Sequence, residues 1–196
     1  MSVGNAMDGD ADVRDRLEGS LNVLVYSSGM DTGASQAYLE ELVPDEPLRV
    51  LGVNYLRRPE EWLEQWRTHV PNAEEFAFVA VSDGPAPEVD VPAFARNPND
   101  LTGLGITLGE QLGDWSGGNV TPFLDFHSLT AALQYVDFQR VYRFVHVMTA
   151  RSAALDALSY YHIDPEAHDE QTVATLTSLF DAAVRYDDGE WHVRTR

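Results

Sequence analysis

The chain has 196 residues, 44% of them hydrophobic, which suits one domain with a sizeable buried core. It carries 32 acidic residues against 13 basic ones, a formal charge of −19. A surface so acidic repels nucleic acid and anionic lipid. Cysteine is absent and every basic residue is arginine, which excludes disulfides, thiolate metal sites, a cysteine nucleophile, a lysine Schiff base and a phosphate-loop lysine.

Residues 1–19 are small and acidic and read as a flexible leader, with a short helical turn near residues 13–17. They lack an apolar secretion segment, and no apolar run approaches the 18–20 residues or so that cross a bilayer. A cytoplasmic protein with no membrane contact is expected. Residues 20–196 then read as a single domain. Residues 21–26 form an apolar, Val-rich run, the pattern of a buried strand. Ala37, Tyr38 and Leu42 recur at helical spacing, and Pro44 and Pro47 end that helix. Residues 48–54 are a second strand. Pro59 opens a helix whose one face carries Trp62, Leu63, Trp66 and Val70, with Glu60 and Glu61 in its first turn.

A third strand follows at 75–82, and the Pro-rich residues 83–100 read as a long loop. Residues 101–115 carry a helical pattern weakened by internal glycines. A fourth strand spans 119–126, with Pro122 an awkward member because it cannot donate to a ladder. A short helix starts at Ser128, and Asp137 caps a longer one with Val141, Tyr142, Val145 and Met148 on a common face. Residues 157–163 read as a fifth strand. Asp164-Pro165 opens a turn or helix, and Asp187-Asp188-Gly189 joins a closing hairpin. Strands alternating with helices predict an α/β fold with a mostly parallel sheet covered on both faces, plus antiparallel strands at the C-terminus.

The chemistry-bearing candidates begin directly after the first strand. Residues 28–35, Ser28-Gly29-Met30-Asp31-Thr32-Gly33-Ala34-Ser35, fall in frame with the phosphate-loop pattern G-x-x-x-x-G-K-[ST]. Gly33 and Ser35 match it. Ser28 replaces the first glycine, and Ala34 replaces the lysine that neutralises terminal phosphates. Asp31 adds a repelling charge. An ordinary βα turn of small residues explains the same letters. Asp125, near the end of an apolar strand, sits where phosphate-loop enzymes place the carboxylate that holds magnesium's water shell. The competing reading is an Asp satisfying local backbone N–H groups.

Arg57 and Arg58, at the end of the second strand, are possible anion contacts, or a solvated pair beside Glu60 and Glu61. His162 and His168, near Asp164 and Asp169, match no metal-ligand spacing such as H-E-x-x-H and read as structural. His127 adjoins Asp125 at the switch-point end of the sheet. The Trp62/Trp66 pair reads as core or partner surface. With no G-x-S-x-G elbow, a serine hydrolase has little support. No catalytic residue and no metal ligand is assigned.

Two distant segments carry a family resemblance. Residues 141–186, with the runs RFVH, IDPEAHD and LFD, resemble the C-terminal half of KaiC/RecA-type domains. VTPFLDFHSL at 120–129 resembles that superfamily's Walker B strand, and NPNDLTGLGITLGEQL at 97–112 the helix leading into it. The layout is similar to that of uncharacterised KaiC-like proteins of halophilic archaea with degenerate phosphate loops. The resemblance implies a RecA-like three-layer α/β/α domain. It places Ser28, Gly29, Gly33, Ser35 and Asp125 at vestigial nucleotide-binding positions. The glutamate such ATPases carry beyond the second strand is absent, for Tyr55-Leu56-Arg57-Arg58 stands there. Losing both the lysine and that glutamate removes most of what drives phosphoryl transfer. The expectation is a non-catalytic regulatory or signalling scaffold that binds a protein partner or itself, with no cofactor. The alternative is a nucleotide-binding protein or weak ATPase that takes ATP and Mg on a lysine-less loop, with Arg57 or Arg58 supplying the missing charge.

Overall fold

The computed structural model of the chain describes residues 12–27, 32–55 and 58–196. Their elements follow one another as α1 (Val13–Arg16), β1 (Asn22–Tyr26), α2 (Thr32–Ala37) running into a π-turn (Tyr38–Leu42), β2 (Leu48–Asn54), α3 (Pro59–His69), β3 (Ala73–Val81), β4 (Ala93–Arg96), α4 (Leu101–Trp115), β5 (Thr121–His127), α5 (Leu129–Tyr135), α6 (Phe138–Ala154), β6 (Leu158–Ile163), a 3₁₀ turn (Pro165–Ala167), α7 (Glu170–Thr177), β7 (Ala182–Asp187) and β8 (Glu190–Thr195). The strands form one sheet in the order β4-β3-β2-β5-β6-β1-β7-β8. Every pairing is parallel except the final β7–β8 hairpin.

Two apolar clusters cover the two sheet faces, and strand alternation sorts the residues between them. Val23, Val25, Val50, Phe123 and Tyr160 pack with α1, the π-turn and α3. Leu24, Leu51, Val53, Leu124, Phe126 and Tyr161 pack with α4, α5 and α6. The result is a three-layer α/β/α domain with a RecA-like strand arrangement and the expected C-terminal hairpin. Side-chain caps start the helices on the second face: Asp100 accepts from Gly103 N at 2.8 Å, Ser128 from Ala131 N at 3.2 Å and Asp137 from Arg140 N at 3.0 Å.

Three local expectations change. The Pro-rich segment contains a strand, β4, which pairs with β3 from Phe78↔Ala93 to Val81↔Arg96. Pro122 costs β5 no ladder bond: Thr121 N donates to Pro47 O toward β2, so the next nitrogen faces β6, whose pairing begins only at Phe123↔Leu158. The leader is docked over its described part. Val13 and Leu17 are buried, Arg14 bonds the carbonyls of Val43 and Glu40 and the Asp45 carboxylate, and Arg16 bonds the carbonyls of Trp191 and Val193. Residues 1–11 lie outside the described residues.

Candidate functional site: a buried carboxylate near the C-terminal end of a parallel strand

Strand β5 carries Asp125 on the sheet face covered by α3 and the π-turn. In register, Asp125 stands between Gly52 of β2 and Tyr160 of β6. Gly52 is the reason the site can form. A Cβ there would lie within 3.0 Å of the Trp62 indole, so only glycine lets that ring lie flat against the strand. Passing over Gly52, the indole Nε1–H of Trp62 donates to Asp125 Oδ2 at 2.8 Å. The Tyr38 hydroxyl donates to Oδ1 at 2.9 Å. His162 Nε2 lies 3.1 Å from the same oxygen. The ring of His162 stacks on His127 at 4.9 Å and meets the Tyr38 ring edge-on at 4.6 Å.

Most of this carboxylate's acceptor capacity is taken up inside the protein. A carboxylate offers about four acceptor directions, and three donors reach this one in a site 3% exposed. Burial, the largest single influence, pushes the Asp125 carboxyl up. The bond and charge of His162, the Trp62 donor and the charge of His127 together outweigh it and hold the pKa at about 2. Asp125 is therefore an anion clasping three elements, α3, the π-turn and β6, onto β5.

Above the clasp lies a cavity of about 30 Å³, space for roughly two waters. Ala34, Ser35, Tyr38, Trp66, Asp125 and His162 line it. The structure thus brings Ser35 and Asp125 to one cavity. Gly33 is exposed on α2 outside that lining, and Arg58 is exposed as the residue before α3. Ser28, Gly29 and Arg57 lie outside the described residues. His162 and His168 have separate partners, Asp125 and Thr130. No group of three potential metal ligands occurs among the described residues, and no described helix is long and apolar enough to cross a membrane.

Tyr38, Trp62 and His162 carry the site, and sequence reasoning placed none of them beside Asp125. A signal for one existed: Asp125 and His127 alternate on β5 as Tyr160 and His162 do on β6, so adjacent parallel strands place them on one face. Nothing local points to Tyr38 or Trp62.

Known structures share this architecture. PH0250 from Pyrococcus horikoshii OT3 superposes with a TM-score of 0.61 at 12% identity, over 94% of this chain and 92% of that one. An uncharacterized protein, PH0321 from Pyrococcus horikoshii, crystallised with an unknown peptide, gives 0.54 at 9% identity, over 94% and 97%. The flagellar accessory protein FlaH from Methanocaldococcus jannaschii matches at 0.49 and 11% identity, over 94% and 82%. These neighbours are archaeal proteins, and the likeness is one of RecA-like fold. No curated protein matches the sequence. Residues 20–186 match a family model along most of the chain, and the protein belongs to that family of unknown function, DUF7504.

Proposed function

We propose that this protein is a non-catalytic RecA-like scaffold that works through protein contacts, the Walker B position having become a structural clasp. The burial of Asp125 and its three donors carry the reading. A magnesium-binding carboxylate must present lone pairs to the ion's water shell. Here three of the carboxylate's four or so acceptor directions go to Trp62, Tyr38 and His162 inside the core. The described residues do not fit Mg-ATP. The cavity beside Asp125 has room for about two waters, the chain has no lysine, and Arg58 is exposed and outside the cavity lining. PH0321, of similar fold, holds a peptide, which is in keeping with a contact role.

Thermal unfolding with and without Mg-ATP or Mg-ADP tests this at molar salt. A ligand at about a hundred times its Kd adds roughly 2.7 kcal/mol of stability. The expected result is no shift in Tm at millimolar nucleotide. A clear rise, lost in Asp125→Asn, would overturn the scaffold reading in favour of nucleotide binding.

A further inference from the structure

Helices α4 and α6 leave an apolar groove of about 380 Å³ on the second sheet face. Ile106 and Val147, 52% and 61% exposed, line it above a floor of Phe144 and Met148. They are two of the three large apolar side chains most exposed among the described residues. Arg140, Arg143 and Arg151 rim the groove.

Charge sets this face apart. The 17 residues of α6 include no Asp or Glu, and neither do the first nine of α4, in a chain with 32 carboxylates. Three of the 13 arginines stand on this one helix, and none of them is ion-paired among the described residues. An apolar trough with a cationic rim on an acidic molecule is a local complement, not a general attraction. Resting on the scaffold reading, we propose that the α4–α6 groove is its contact face and that it takes an acidic amphipathic helix of a partner protein. Apolar side chains of that helix seat between Ile106 and Val147, and its flanking carboxylates meet Arg140, Arg143 and Arg151.

The size of the groove selects this occupant. From Arg140 to Arg151 the rim runs about 16 Å at 1.5 Å per residue, or three helical turns. A helix of that length stays within the cationic rim. A nucleic acid would overrun it onto acidic surface, where each phosphate is repelled. Two copies meeting groove to groove would set arginine against arginine, a like-charge contact that disfavours an isologous dimer.

Selection from an unbiased library of displayed helical peptides tests the proposal. Binders selected on the wild-type protein alone are then measured on Val147→Asp, an exposed change whose melting curve should match wild type. Recovered peptides should show apolar residues at helical spacing flanked by Asp or Glu. Their Kd should weaken about tenfold or more in Val147→Asp and in Arg143→Glu, as loss of one central anchor predicts. Binders without acidic flanks, binders indifferent to both variants, or no enrichment would each overturn it. Self-association in light scattering that Val147→Asp abolishes would overturn it too, assigning the groove to a second copy. None of these failures touches the nucleotide result, so the scaffold reading stands or falls separately.

Discussion

Asp125 is a charged group deep in a core, so its value depends on what it touches. Its pKa is held at about 2, against 3.8 for a free Asp side chain. The carboxylate therefore contributes stability that is fully present above pH 4 or so and is lost as pH falls through about 2. At 1.36 kcal/mol per pKa unit, that contribution is roughly 2 kcal/mol. Asp125→Asn turns one donor against another and leaves polar groups unmet, at a cost of about 2–4 kcal/mol near neutral pH. The gap in unfolding free energy between wild type and Asp125→Asn should narrow by about 2 kcal/mol between pH 5 and pH 2. Urea titrations at each pH would read it. A gap independent of pH would mean that the carboxylate is not the bound form.

At the scale of elements, two glycines whose Cβ positions are both blocked should behave in opposite ways. Gly52→Ala drives a methyl into the Trp62 indole, which is fixed by Phe78 at 5.4 Å and by its bond to Asp125. Overpacking there should cost about 1–3 kcal/mol and release the indole. Gly109→Ala on α4 meets first the guanidinium of exposed Arg151, the far end of a flexible side chain that can swing away. Removing a glycine from a helix interior should then be neutral or stabilising by up to about 1 kcal/mol. Denaturant melts of the two variants, with tryptophan fluorescence for the first, check both directions.

The same elements show what the letters reveal. Apolar runs locate β1, β2, β3, β5 and β6, because buried parallel strands need continuous hydrophobic stretches. They miss β4, whose four half-buried residues between Pro92 and Pro98 carry no pattern. The glycines of α4 look like weaknesses until Gly105 and Gly109 are seen to face side chains of α6. The position of Asp125 is legible, but its environment is not. The partners Tyr38, Trp62 and His162 stand 87, 63 and 37 residues away, and only the folded sheet brings them together.

For the whole molecule, the sheet is open and has two ends. At one, β4 is four residues long with a proline on each side. At the other, β8 is six residues long, and its outer carbonyls at Trp191 and Val193 face the two nitrogens of Arg16 at 3.2 and 3.4 Å. Unpaired strand edges are templates for intermolecular pairing. The N-terminal turn thus acts as a stopper, occupying acceptors that a strand from another molecule would otherwise use. Arg16→Ala should leave Tm nearly unchanged yet speed heat-induced aggregation, read as turbidity at low protein concentration. Unchanged turbidity would show that the carbonyls need no guard. An arginine that looks like a stray cation in an acidic leader would then decide whether the open sheet stays soluble when warmed.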